Sequence, residues 1–299
     1  LVGFAAFQNS VAGKPGSNPE LAKRGLTTQA LDQLREDIME NKLPSVSYII
    51  ATAEGSEHPG PSSPAQGAAY TSEVLDALTA NPEVWAKTAL FIMFDENDGF
   101  FDHVPPPAPP SEDPASPGGY AGHSQVSTRG EYHTHRSEAD ESLEVQDYMG
   151  RPYGLGPRVP AYVISPWSRG GYINSEVLDH TSVIRFLEQR FGVLEPNISP
   201  WRRAVCGDFT NAFDFVNPNR DLPLAFPDPT TDAKRAAALP KRTTPKLPIQ
   251  QSMPAQEPGM RPHRPSLYKL DLEWDELPET NTLKLTFINK GKRAAVFHV

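Results

Sequence analysis

Thr88-Ala-Leu-Phe-Ile-Met-Phe-Asp-Glu-Asn-Asp-Gly-Phe-Phe-Asp-His103 is the stretch on which the reading of the fold turns. Residues 89–94 are continuously apolar and run without a break into Asp95, Glu96, Asn97 and Asp98, with Gly99 behind them. A run this apolar does not suit an exposed edge. It predicts a strand covered on both faces, in an α/β fold with a mostly parallel sheet flanked by helices. In such sheets ligands bind in the crevice beyond the carboxyl ends of the strands. Two carboxylates buried there require a cation, a positive side chain or several donors to offset them. Asp95 and Glu96 are therefore candidate metal or catalytic carboxylates. An acidic surface loop is the plainer alternative. A calcium loop of the EF-hand type fails on register, because it needs glycine sixth and glutamate twelfth; counting from Asp95, glycine is fifth and Pro106 twelfth.

Upstream, Thr27-Thr28-Gln29 precedes Leu31, Leu34, Ile38 and Met39 at helical spacing, which predicts a capped amphipathic helix ending before Pro44. Val46 to Ala51 reads as a short β-branched strand that empties into the loop containing Glu57 and His58. Tyr70, Val74, Leu75 and Leu78 then predict a helix over 65–79. Helix, strand, helix, strand is the order of a parallel crossover unit. Downstream, the polyproline run and the polar segment to Pro157 predict a long loop of the kind that shapes a site. A further strand, Ala161 to Ser165, precedes Trp167-Ser-Arg-Gly170, and a helix begins near Asp179 and stops at Gly192. Residues 218–265 read as a proline-rich linker or wrapping arm. Leu283, Leu285 and Phe287 alternate before Asn289-Lys-Gly291, and Ala294 to Val299 resumes, so a β-hairpin over 266–299 is expected to open a small β domain.

Composition narrows the function classes. The chain has 299 residues, 22% charged and 38% hydrophobic, with 32 prolines and 21 glycines, which suits a globular body with long ordered connections. A net charge of -9 opposes nucleic acid as a general partner. Cys206 is the one cysteine, so no intrachain disulfide forms, and it reads as a small core residue. No apolar run reaches the roughly 18 residues of a membrane span. The chain begins at Leu1 and ends within strand-like sequence at Val299, so it is expected to be a segment of a longer protein.

If the three strands share one parallel sheet, their loops converge. They bring Glu57 and His58; then Asp95, Glu96, Asn97, Asp98, Asp102 and His103; then Ser168, Arg169, Asp179 and His180. Carboxylates and imidazoles without thiols suit a hard or borderline divalent cation. Phosphoester chemistry needs positive groups on the non-bridging oxygens and an acid for the leaving oxygen. His58, His180 and Arg169 are candidates for those charge and proton roles, although Asp179 equally reads as a helix N-cap. Loop aromatics such as Tyr120, Tyr132, Tyr153, Trp167 and Tyr172 are packing residues or the wall of a quaternary ammonium cage.

Phe94-Asp-Glu-Asn-Asp-Gly-Phe-Phe-Asp-His-Val-Pro-Pro-Pro107, Ser56-Glu-His-Pro-Gly-Pro-Ser-Ser-Pro-Ala-Gln66, Ile164-Ser-Pro-Trp-Ser-Arg-Gly-Gly171 and Asp179-His-Thr-Ser182 together resemble bacterial phosphocholine-preferring phospholipases C, a group akin to acid phosphatases. The segments occur in order over nearly the whole chain, and Leu285-Thr-Phe-Ile-Asn-Lys-Gly291 with Ala295-Val-Phe-His298 resembles the start of their small C-terminal β domain. The resemblance implies an alkaline-phosphatase-like fold in which residues 1–217 are the C-terminal part of the catalytic domain. It implies hydrolysis of phosphatidylcholine, with sphingomyelin as a second candidate, to release phosphocholine at a membrane surface. By the same resemblance Asp95 and Glu96 bind a divalent metal and His58 contacts phosphate. The family's N-terminal Glu-Asn motif and hydroxyl nucleophile have no counterpart here, so the segment by itself is expected to be inactive. A twin-arginine leader upstream, and hence a secreted or periplasmic enzyme, is also implied. The alternatives are a phosphomonoesterase with the same metal site and a non-catalytic secreted metal-binding module.

Overall fold

The computed structural model describes every residue except 1–2, 27, 98, 100–103, 114, 116–117, 135–147, 223–227, 241–243, 245, 253–254, 256–257 and 299. In chain order the helices and strands are α1 (Ala5–Val11), α2 (Pro19–Gly25), α3 (Leu31–Met39), α4 (Pro64–Thr79), α5 (Pro82–Trp85), β1 (Leu90–Met93), β2 (Ser111–Glu112), β3 (Tyr120–Ala121), β4 (Ala161–Ile164), α6 (His180–Phe191), α7 (Pro200–Val205), α8 (Thr230–Ala237), β5 (Leu270–Leu277) and β6 (Thr282–Asn289). They form two compact units, Leu1–Thr88 with Arg220–Pro248, and Ala89–Asn219 with Ile249–Val299.

The first unit is helical. α4 starts where Ser63 accepts a hydrogen bond from the Gln66 amide and Pro64 supplies a ready-made first helical φ. Its buried face is Val74, Leu75, Ala77 and Leu78, the i, i+1, i+3, i+4 pattern of a helix lying on a core. Burying side chains of this size contributes about 1.5–3 kcal/mol each. Ile38 of α3 is fully buried, and Asn81 ties the two ends together by donating from Nδ2 to the Ile38 carbonyl at 2.9 Å while capping α5. α8 packs on α4, so this part of the proline-rich stretch is built into the first unit. The predicted strand over 46–51 does not form: none of these residues pairs in a sheet, and Ile50 is 91% exposed.

In the second unit β1 pairs with β4, but antiparallel, with Leu90 opposite Ile164 and Met93 opposite Ala161. The expected parallel arrangement of these two strands is thereby corrected. Parallel neighbours need a crossover, usually a helix, whereas a connection that returns from the same end gives an antiparallel pair. Between β1 and β4 the described residues hold only the two-residue strands β2 and β3, also antiparallel, and no helix. The described residues thus form three two-stranded antiparallel sheets rather than one parallel sheet.

Phe91 of β1 fixes the strand against α6. Its ring lies 5.1 Å from Phe186, 5.3 Å from Phe209 and 5.9 Å from Phe213, in tilted and edge-on geometries that aromatic pairs favour. A second cluster, Trp201, Val205 and Cys206, packs with Leu155, Val177 and Val296.

The C-terminal hairpin lies one strand earlier than expected. β5 and β6 pair with Leu272 opposite Phe287 and Trp274 opposite Leu285, and the reversal falls at 278–281 instead of 289–291. Residues 294–298 form no strand. The acidic residues Asp271, Glu273 and Asp275 between Leu270, Leu272 and Trp274 hid the first strand from a reading based on apolar runs. The hairpin segment is anchored by Arg293, whose Nε donates to the buried Glu176 carboxylate at 2.5 Å, and by Tyr268, whose hydroxyl accepts from the Val177 amide.

Candidate active site

The carboxyl end of β1 delivers Phe94, Asp95 and Glu96, and α6 meets it there. His180, the first residue of that helix, places Nε2 2.9 Å from the Phe94 carbonyl oxygen. A carbonyl only accepts, so Nε2 carries the hydrogen and the neutral ring keeps its lone pair on Nδ1. One imidazole is thus set beside the strand end with its second nitrogen available to chemistry. Asp95 and Glu96 are both exposed, which departs from the burial that the sequence argument supposed and removes the need for a compensating charge to make them stable.

The N-terminus of α6 is held from behind. Ser182 Oγ accepts from the Asp179 amide at 3.0 Å and donates to Asp179 Oδ1, the reciprocal arrangement of a capping box, and Thr181 donates to the same oxygen at 2.7 Å. The other oxygen, Oδ2, accepts from Arg202 Nη1 at 2.7 Å. Arg202 also donates from Nε to Glu131 at 3.1 Å and from Nη2 to the Gly154 carbonyl at 2.7 Å. Ser199 donates to the same Glu131 oxygen, and its own Oγ caps the helix that carries Arg202. Burial opposes the Arg202 charge, but the hydrogen bonds and charges of Asp179 and Glu131 more than offset it and hold the guanidinium above its usual range. Asp179 is the helix cap, as one of the two sequence readings had it. Glu131 and Arg202 were not singled out by sequence, because nothing in their neighbours marks a carboxylate destined for 1% exposure.

Arg169 stands elsewhere. Because β4 runs against β1, its carboxyl end lies beside the amino end of β1, and the 166–171 loop leaves the ribbon about 13 Å from the end that bears Asp95. That loop is tied to 214–219: the Asn219 amide donates to the Pro166 carbonyl, the Asp214 amide to that of Trp167, and Arg169 Nη1 to Asn219 Oδ1 at 3.3 Å. Ser168 donates to the Val163 carbonyl and serves the turn.

His58 belongs to the first unit. Its ring is exposed, and Nδ1 donates to the Pro59 carbonyl at 3.0 Å, so Nε2 can donate to a phosphate oxygen only when the ring is a cation. Burial pushes the neighbouring Glu57 carboxyl above its usual range, and the side chain lies where a β-carbon on Gly67 would sit. Asp98, Asp102 and His103, together with Phe100 and Phe101, lie outside the described residues. Tyr120 and Tyr132 line an open hollow of about 430 Å³, but Arg129 lines it too, and a guanidinium opposes a quaternary ammonium there.

Among the described residues no three His, Cys, Asp or Glu side chains come together as a metal centre. Asp95 and Glu96 nevertheless present oxygen donors that fit a hard or borderline divalent cation as part of a coordination shell.

A model of the Phosphoesterase family matches residues 1–194, well over half of the chain. The chain belongs to the Phosphoesterase family. His58, Asp95, Glu96, Arg169 and His180 all fall inside the family match, whereas Arg202 and the C-terminal hairpin lie beyond it. Among curated phosphoesterase relatives, the non-hemolytic phospholipase C of Pseudomonas aeruginosa is 53% identical over the whole chain, which spans 41% of that protein. The hemolytic phospholipase C of the same organism is 44% identical, again over the whole chain and 40% of its own length. Phospholipase C B of Mycobacterium tuberculosis is 37% identical over 86% of the chain and 48% of the relative. The chain therefore spans less than half the length of these curated relatives. No helix among the described residues is long and apolar enough to cross a membrane.

Proposed function

We propose that the protein carrying this chain is a phospholipase C that hydrolyses phosphatidylcholine, with sphingomyelin as a second substrate, at the surface of a membrane. Water is consumed, the bond between phosphorus and the lipid oxygen breaks, and diacylglycerol and phosphocholine leave. The observation that carries the reading is the seating of His180 against the Phe94 carbonyl, one residue before the Asp95-Glu96 pair. Relatives 53% and 44% identical over the whole chain bear the phospholipase C name, which supports the diester class.

In this reading Asp95 and Glu96 hold part of the shell of a divalent cation. A bound cation supplies positive charge to the non-bridging phosphate oxygens. His180 protonates the departing alkoxide from Nδ1, since Nε2 is committed to Phe94. His58, which lies in the other unit, is assigned a phosphate contact on the resemblance alone, with Nε2 donating when the ring is a cation. Arg169 leaves from the other end of the β1–β4 ribbon, so it is given no phosphate contact in this reading. Export, by the twin-arginine route, suits a chain whose one cysteine needs no disulfide partner.

The test uses the full-length natural protein on phosphatidylcholine vesicles, following phosphocholine and inorganic phosphate separately. Phosphocholine with diacylglycerol is expected. Free phosphate as the first product would point to a phosphomonoesterase, and no turnover with a full complement of bound cation would point to a binding module.

A further inference from the structure

Glu131, Arg202 and Asp179 form a buried charged group that goes beyond what capping a helix requires. Taking ions out of water is costly, and a buried carboxylate–guanidinium set is often no more stabilising than apolar residues of the same volume. Glu131 keeps its second oxygen buried without a hydrogen-bond partner among the described residues, a further cost that the chain tolerates. The geometry of the set indicates what it does.

Arg202 spends three donors on three separate stretches of chain. One reaches Glu131 and one the Gly154 carbonyl, so one guanidinium holds two positions 23 residues apart. The third reaches Asp179 Oδ2, one residue before His180. Asp179 in turn fixes the first turn of α6 through Thr181 and Ser182. The helix start has little freedom left, and the ring of His180 is thereby aimed at Phe94.

We infer that Arg202, oriented by Glu131, is a positioning residue for His180: it couples Glu131 and Gly154 to the start of α6 and holds the imidazole at the end of β1. This rests on the proposed phosphodiesterase reading, and it assigns to Arg202 no contact with substrate. A planar fork that bonds three partners at fixed angles is not replaced by an ammonium, so lysine keeps the charge and loses the alignment.

A double-mutant cycle in the full-length natural protein tests it. His180→Gln, Arg202→Lys and the double variant are compared for kcat on phosphatidylcholine, whose leaving alkoxide is poor, and on p-nitrophenylphosphocholine, whose leaving group needs no acid. Arg202→Lys is expected to lower kcat on phosphatidylcholine by about tenfold or more, the cost of a misplaced catalytic group, with KM little changed. Added to His180→Gln, it should lower kcat no further. Losses that multiply in the double variant, or a loss with Arg202→Lys where His180→Gln shows none, would overturn the inference. The acid role of His180 is read separately, from whether His180→Gln spares the nitrophenyl substrate; equal losses on both substrates would sink that role while the cycle still decides the coupling. If Arg202→Lys does not fold, Glu131→Gln is run through the same cycle, because it keeps the shape and the acceptor facing Arg202 and removes only charge.

Discussion

His180 Nε2 and the Phe94 carbonyl oxygen, 86 positions apart in sequence, stand 2.9 Å apart. The contact joins the first residue of a helix to the end of a strand, and the Phe91–Phe186 ring contact lower in the same pair of elements keeps them in register. It also settles the tautomer. Nitrogen-15 spectra of the neutral ring are expected to show the Nε2–H form. A signal from the Nδ1–H form would break the assignment of Nδ1 as the reactive nitrogen. Replacing His180 by glutamine keeps a donor and removes the proton that chemistry needs, so kcat on phosphatidylcholine is expected to fall about 10²–10⁴-fold.

Asp95 and Glu96 are exposed, so neutralising them should leave the fold intact and change what the strand end binds. In the full-length protein, Asp95→Asn is expected to lower bound divalent cation in elemental analysis and to cut turnover by at least tenfold, the scale on which metal-site changes act. Thermal midpoint with chelator present should match that of the parent protein. Unchanged metal content together with unchanged turnover would remove these two carboxylates from the site.

The elements around the candidate site were largely legible in the sequence and their topology was not. Residues 89–94 read as a strand because they are continuously apolar, and Leu31–Met39, Pro64–Thr79 and His180–Phe191 read as helices because their apolar residues recur at helical spacing and their ends carry Pro64, Asp179 or Gly192. These are local signals. The direction in which β4 pairs with β1 is not local. It depends on whether the long intervening stretch crosses over, and a proline-rich sequence without periodicity is silent on that. Arg169 falls at the other end of the ribbon for this reason. Glu131 and Arg202 were illegible for a different one: an ion pair formed across 71 positions leaves no spacing to read.

Cys206 tests the second core cluster. The thiol is fully buried, and burial first, then the nearby Asp179 charge, pushes its pKa up to about 12. Since the thiolate is the reactive form, Cys206 is expected to stay unlabelled by a thiol reagent in the native protein at pH 8 and to be labelled after denaturation, as read by peptide mass mapping. Rapid labelling under native conditions would show that the Trp201–Val205–Cys206 cluster opens readily.

Glu188 and Arg203 lock α6 to α7, and their pairing makes the stability of this region depend on acid. Arg203 Nη1 and Nη2 reach the two Glu188 oxygens at 2.8 Å each, and the Glu195 amide donates to Oε1 at 2.6 Å. Arg203 hydrogen bonding, against an opposing desolvation, holds the Glu188 carboxyl down at about 2 from its ordinary value of 4.5. The folded state therefore binds the proton less readily than the unfolded chain, so the contribution is complete above about pH 4.5 and fades as pH falls toward 2. Partial access of solvent to the pair keeps it near 1 kcal/mol, roughly the upper end for an ion pair that water can reach. Glu188→Gln is expected to lower the urea midpoint at pH 7 and to shrink the difference from the parent protein as pH drops below 4. A difference that stays constant from pH 7 to pH 3 would show that packing of the side chain, rather than its charge, joins the two helices.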